Sequence, residues 1–454
     1  MDPMTTSRRN FLRLTGGAAI AAGLAACGTS GPQSSGGSTG GTNGGGGGGG
    51  ATYWFLTGQP QQAIREAQVK RFNDANSGSQ LKTTEFQNDA FKQKIKTAIG
   101  AGQAPTLIWG WGGGGLKSYV DANQVEDLTS WFGENAELKN GIFPSAFGAA
   151  SVGGKIYAMP VETTTPIVLY WNKKVFEKVG AEPPKSWGDI MDLVPKFNEQ
   201  NIAPFSLGGQ SRWTNMMWLE FLYDRIGGPE VFQAIYDGQP DAWNDPSSIK
   251  ALTEVQNLVK ANGFIKGFSS ITADSNADQA LLYTGKAAMM LHGAWTYGGM
   301  KADGGDFVTG GHLGYMNFPP VDGGKGDPSN TVGNPGQYLS ISSKASDAEK
   351  ETAKKFLANN TLDEASVEEW VKSGNIPVVK SAKDKLSSVS DANDKAWLEF
   401  VYDTSANAKT FSQSWDQALS PAAAETLLDN IAKLFQLSVT PQQFASNMNA
   451  VIGK

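Results

Sequence analysis

The sequence predicts an α/β protein folded as two lobes. Three observations carry this. The chain has 454 residues, and chains beyond roughly 250–300 residues divide their core into domains. Strand-like and helix-like segments alternate over 53–109, the pattern of an open parallel sheet. Hydrophobic residues make up 40% and charged residues 18%, a globular composition, neither disordered nor membrane-spanning.

Taken in order, residues 53–56 (Tyr-Trp-Phe-Leu) are an apolar run fit for a buried strand. Pro60 opens a helix, since proline is tolerated at the first helical position, and Ile64, Ala67, Arg71 and Phe72 fall on one side of it. Residues 81–86 alternate as a second strand. Phe91, Ile95, Ala98 and Ile99 follow helical spacing, and Gly100 and Gly102 stop that helix. Residues 106–109 form the third strand, followed by a glycine-rich turn. In open parallel sheets ligands sit beyond the carboxyl ends of the strands, which places 57–59 and 109–115, Trp109 with the glycine-rich turn, at the site. That turn nearly matches a phosphate loop, but Leu116 follows Gly115 and Lys117 arrives one residue late, so a nucleotide site is rejected. Further along, Pro183 and Pro184 break the chain. Residues 211–226 read as a helix carrying Trp213, Met217, Glu220 and Phe221 on one face, and Ile249, Leu252, Val255 and Val259 mark another. Helices over 345–359, 366–372 and 421–437 fill the C-terminal third.

The N-terminal fifty residues read as an address and a tether. Arg8 and Arg9 precede an apolar stretch over 14–26, shorter than the ~20 residues a membrane span needs. The twin arginine resembles a Tat export signal. Leu24-Ala25-Ala26-Cys27-Gly28 resembles a bacterial lipobox, which implies lipidation of Cys27 at the end of a 1–27 leader; the alternative is a buried cysteine in a Gly/Ala helix. Residues 28–51 are dominated by Gly, Ser, Thr and Asn, a flexible coil by composition. Together they predict a protein held at the extracytoplasmic face of the cell membrane.

Composition also excludes. The net charge of −6 and the lack of clustered Lys and Arg argue against nucleic acid. Two histidines, His292 and His312, and one cysteine leave little for a metal site, and no cofactor is expected. The 13 tryptophans are a surplus that a sugar site would use, because an indole face covers the C–H face of a pyranose.

Several segments together resemble the family 1 extracellular solute-binding proteins, the sugar-binding group that includes maltose-binding protein. They are 98–105 (Ala-Ile-Gly-Ala-Gly-Gln-Ala-Pro), 153–160 (Gly-Gly-Lys-Ile-Tyr-Ala-Met-Pro) with 169–173 and 184–187, 283–290 with Gly293-Ala294-Trp295, and 374–378 (Gly-Asn-Ile-Pro-Val). The resemblance implies a two-lobed periplasmic-binding-protein type II-like fold with a hinge and an interlobe cleft. The lobes are expected over 52–162 plus about 297–335 and over 163–296 plus about 336–454, with crossings near 161–166, 294–299 and 333–337. It implies a monomer that captures an oligosaccharide, best matched by a disaccharide such as xylobiose, and delivers it to ABC-transporter permease subunits without catalysis.

Trp111 among glycines and Trp295 after Gly293-Ala294 are the first candidates to stack on the ligand, with Gly112 beside them. Trp415 resembles the position of a C-terminal stacking aromatic in maltose-binding protein, packing within a lobe being the alternative. Trp213 beside Arg212 follows a glycine-containing loop that favours the cleft. Glu162 resembles a hinge-region glutamate and would accept sugar hydroxyls. Gln59, Asn334 and Gln337 lie in loops facing the cleft. The rivals are a glycoside hydrolase, which needs two carboxylates flanking the scissile bond, and a binding protein for a non-sugar solute.

Overall fold

A computed structural model describes residues 50–454. The 1–27 leader with Cys27 and nearly all of the 28–51 tether lie outside the described residues. Ala51, placed at the end of that tether by composition, is the first residue of the first strand. Among the described residues no helix is long and apolar enough to cross a membrane.

The first three strands are β1 (Ala51–Leu56), β2 (Leu81–Phe86) and β3 (Leu107–Gly110), linked by helices α1 (Gln61–Ala75) and α2 (Asn88–Gly100). β1 lies between β2 and β3, parallel to both. Strand Gln337–Ile341 adds antiparallel to β3, and Met159–Val161 closes the edge of this five-stranded sheet. In α1 the buried face is Ile64, Arg65, Gln68, Val69 and Phe72. It is rotated from the one the sequence suggested, and it carries an arginine inward.

The glycine-rich stretch after Trp109 is not a bare turn. It becomes helix α3 (Gly113–Asp121). Gly112 has φ +74, and a Cβ there would strike the Ala149 carbonyl, so only glycine suits this bend.

The second sheet is built around strand Thr163–Asn172, flanked by Ala287–Gly293 on one side and Thr331–Asn334 on the other. Ala203–Ser206 extends it beyond Ala287–Gly293, and Phe411–Gln413 beyond Thr331–Asn334. Both faces of the central strand are covered, so its second half, 167–171, is a continuous apolar run. Ile167 and Leu169 enter one core with Trp218 and Phe221, while Val168 and Tyr170 enter another with Trp397.

Sheet membership corrects the expected division. Leu313–Met316 and Thr331–Asn334 pair with Thr163–Asn172, so 297–335 stays with the second lobe. Gln337–Ile341 returns to the first, and helix Asp347–Asn360 packs on α1. Long-range antiparallel pairing decides this. The chain crosses at Glu162, between Val161 in the first sheet and Thr163 in the second, and again at Pro335-Gly336. No crossing occurs near 294–299, where helix Thr296–Asp303 begins beside the second sheet. Strand Ile376–Pro377 pairs with Thr163–Asn172, but Val378, Val379 and Ala382 return to the first lobe's core, so the remaining passage lies between Ala382 and helix Ala392–Ala406, which packs on Thr163–Asn172.

Candidate binding cleft

Both close-set crossings feed one site. Glu162 sits in the left-handed region at φ +61 and is buried. Arg65 of α1 grips its carboxylate in two places, Nε to Oε1 at 2.7 Å and Nη2 to Oε2 at 2.8 Å, and Trp109 Nε1 donates to Oε1 at 2.8 Å. Arg65 Nη1 donates in turn to the Leu56 carbonyl at 3.0 Å. Bidentate pairing of this kind fixes geometry as well as energy. Glu162 therefore lines the cleft but spends its oxygens on the hinge rather than offering them freely to a ligand. Beside it Gln337 Oε1 accepts the Thr163 amide at 3.1 Å.

Between the lobes lies a cavity of about 230 Å³ lined by Trp111, Trp213, Trp295, Gln59, Asn334 and Gln337 among others. All three indoles are half-buried, each placed by its element. Trp111 follows β3 and meets Trp109 edge-on, ring centres 4.7 Å apart. Trp213 starts helix Trp213–Gly227. Trp295 follows strand Ala287–Gly293, and its ring folds back over Gly293, where any Cβ would collide with it. That close approach accounts for the glycine two residues before the tryptophan.

His292 stands against both Trp213 and Trp295, 5.5 Å and 5.4 Å between ring centres. Its Nδ1 accepts the Gly293 amide at 2.9 Å, and its Nε2 faces the buried Asp278 carboxylate at 3.3 Å. Asn334 Oδ1 is buried without a hydrogen-bond partner among the described residues. A buried acceptor left open is costly, and one in a cavity wall is suited to a ligand hydroxyl.

Polar contacts join the lobes across the cavity. Lys92 pairs with Asp416 at 2.9 Å, and its ammonium lies 5.0 Å from the Trp111 ring centre. Trp213 Nε1 donates to Asp89 at 3.3 Å, the Asp89 amide donates to Asp274 at 3.1 Å, and Gln61 donates to the Trp295 carbonyl at 3.0 Å. Burial, reinforced by the nearby Asp89 charge, raises the Asp274 pKa above the usual carboxylate value.

Three candidates lie elsewhere. Trp415 is sealed in the second lobe, stacked flat on Phe232 with ring centres 4.3 Å apart and set edge-on to Tyr223. It lines no part of the cavity; its apolar neighbours claim the ring. Arg212 and Gly112 flank an adjoining chamber instead, Arg212 held by Glu425 at 3.0 Å and also by Asp429. Sequence reasoning missed Arg65, Lys92 and His292, while Trp109 was placed at the site only as the start of the glycine-rich stretch. Only His292 left a signal, as one of two histidines and three residues before Trp295.

Discontinuous α/β lobes, joined by adjacent crossings and enclosing an indole-lined cavity, define a two-domain solute-binding protein. The chain belongs to the bacterial extracellular solute-binding protein family, whose model matches residues 56–367. It is 26% identical over 258 residues to an ABC transporter extracellular-binding protein of Pyrococcus horikoshii, a stretch that covers 56% of each chain. To the multiple sugar-binding protein of Streptococcus mutans it is 23% identical over 342 residues, 70% of this chain and 76% of that one. A solved structure from work on xylan utilization by Caldanaerobius polysaccharolyticus superimposes with a TM-score of 0.79 at 29% identity, covering 89% of this chain and 100% of that chain.

Proposed function

We propose that the chain is the extracytoplasmic, lipid-anchored binding component of an ABC importer, a monomer that captures an oligosaccharide between its lobes and hands it to membrane permeases. One observation carries the reading: Trp111, Trp213 and Trp295 surround a cavity whose other walls supply amides and hydroxyls from Gln59, Thr163, Thr165, Asn334 and Gln337. Indoles suit the apolar faces of sugar rings at ~0.5–1.5 kcal/mol each beyond burial, and amides suit the hydroxyl rim. The likeness to the structure from xylan-utilization work supports a disaccharide such as xylobiose.

Binding without catalysis is supported by the state of the lining carboxylates. Glu162 is held by Arg65 and Asp416 by Lys92, while Asp274 accepts the Asp89 amide. A hydrolase needs two carboxyl groups free to face one glycosidic bond.

The test is a thermal-shift and tryptophan-emission titration against mono-, di- and trisaccharides that include xylobiose and cellobiose. A saccharide is expected to raise the melting temperature and alter emission, with no new reducing ends on prolonged incubation. A response to peptides or polyamines with none to any sugar would overturn the reading.

A further inference from the structure

A second chamber of about 260 Å³ adjoins the cavity just described. The first lobe supplies its walls from α2, the end of β3 and α3, with Tyr119 and Gly115 from α3. The second lobe supplies Arg212, Trp213 and the face of helix Pro421–Phe435 that carries Ala424 and Leu428. Lys92, Trp109, Trp111, Trp213, Asp416 and Gln417 line both spaces. The partition is therefore thin, and at its centre is an ion pair: Lys92 to Asp416 at 2.9 Å, with the ammonium 5.0 Å from the Trp111 ring centre and 6.0 Å from that of Trp213.

The chemistry of the chamber is that of the main cavity, continued. Trp111 and Trp213 serve both spaces, and Tyr119 adds an aromatic wall beyond them. Its charged residues balance: Lys92, Lys96 and Arg212 against Asp89, Asp416 and Glu425. Two of these cations are already engaged, Lys92 by Asp416 and Arg212 by Glu425. A phosphate or uronate site would show an excess of cations directed inward; a balanced, aromatic wall suits a neutral polyol.

We infer that this chamber is a further carbohydrate subsite that takes the next sugar unit of a neutral chain longer than the main cavity holds, with the Lys92–Asp416 pair as the movable partition between the two. The inference rests on the carbohydrate reading above. It extends that reading from a disaccharide to a ladder of chain lengths, read by the step in affinity when a chain passes the partition.

Gly115 makes the test specific. It lines the second chamber and not the first, its backbone is helical, and a Cβ there meets nothing within 4 Å. Gly115→Phe would fill the chamber without touching the main cavity. The full chain is titrated by calorimetry with xylobiose to xylohexaose and with cellobiose to cellohexaose. In the wild type, one series is expected to gain roughly five- to tenfold in affinity beyond the disaccharide, as one added aromatic contact supplies. In Gly115→Phe the disaccharide is expected to bind within twofold of wild type and the gain with length to vanish. Gly110→Leu, entering the same chamber from the end of β3 where a Cβ also meets nothing, is expected to do likewise and serves if the first variant melts early.

If disaccharides bind but affinity is flat with length in the wild type, the subsite is refuted and the carbohydrate reading stands. The subsite is refuted in the same way if the filling variants weaken short and long chains equally. If no member of either series binds, the carbohydrate reading fails and the subsite with it.

Discussion

Glu220 lies fully inside the second lobe, where its Oε1 accepts the Trp415 amide at 2.7 Å and its Oε2 has no partner among the described residues. Burial raises its pKa to about 8, with the neighbouring Asp416 charge adding to the rise and the Trp415 amide opposing it. The folded protein thus binds a proton here that the unfolded chain releases near the ordinary value of 4.5. A raised folded-state pKa gives stability that is full below 4.5 and is lost as pH rises towards 8, on the order of 4 kcal/mol across that window. Glu220→Gln keeps an acceptor for Trp415 and removes the titration. Melting temperatures from pH 5 to 8 are expected to fall several degrees more in the wild type than in the variant; parallel curves would place the proton elsewhere. The same residues show the limits of sequence at this scale. Trp111 and Trp295 were legible as cleft residues because glycines beside them leave nothing local to pack against. Trp415, flanked by Ser, Asp and Gln, looked equally available, but its ring turns to Phe232, which lies 183 positions earlier in the chain. Composition carries no record of such a contact.

Among the elements, the passage through Glu162 is the most constrained. A glutamate at φ +61 costs backbone energy that the surrounding bonds must over-determine. They do: Arg65 and Trp109 fix the carboxylate, and the Val378 amide donates to the Glu162 carbonyl at 2.9 Å. Both partners of the ion pair have side chains only 5% exposed, so removing one leaves a buried charge alone. Arg65→Met and Glu162→Gln are each expected to destabilise by about 3–5 kcal/mol, and the double variant by clearly less than the sum. Denaturant unfolding of the four proteins measures this, and strict additivity would mean that the pair does not act as a unit. The strand-and-helix alternation up to β3 was legible because each element there is short, periodic and punctuated by glycine or proline. The buried arginine on α1 was not, since its place on the inner face follows from a carboxylate 97 residues away.

For the molecule as a whole, the lobes are held across the cavity by a few polar contacts, the Lys92–Asp416 ion pair among them. Two lobes were legible from chain length and family resemblance. Which segments return to which lobe was not, because the antiparallel pairing of Leu313–Met316 with 169–172 and of Gln337–Ile341 with β3 has no local signature. Those returns set the mechanics: the close crossings at Glu162 and Pro335-Gly336 form a narrow hinge, so a contact far from it has leverage on closure. A ligand shifts such an equilibrium only by binding the closed form better than the open one, and any contact present only in the closed form adds to the same balance. Lys92 and Asp416 have side chains 20% and 6% exposed, so solvent screening reduces the pair to about 1 kcal/mol. Lys92→Met is therefore expected to enlarge the radius of gyration of the sugar-free protein in small-angle scattering and to weaken disaccharide binding about fivefold. High salt should reproduce part of both changes in the wild type and neither in the variant. Weakened binding with an unchanged radius would make Lys92 a ligand contact only and not part of the balance between open and closed lobes.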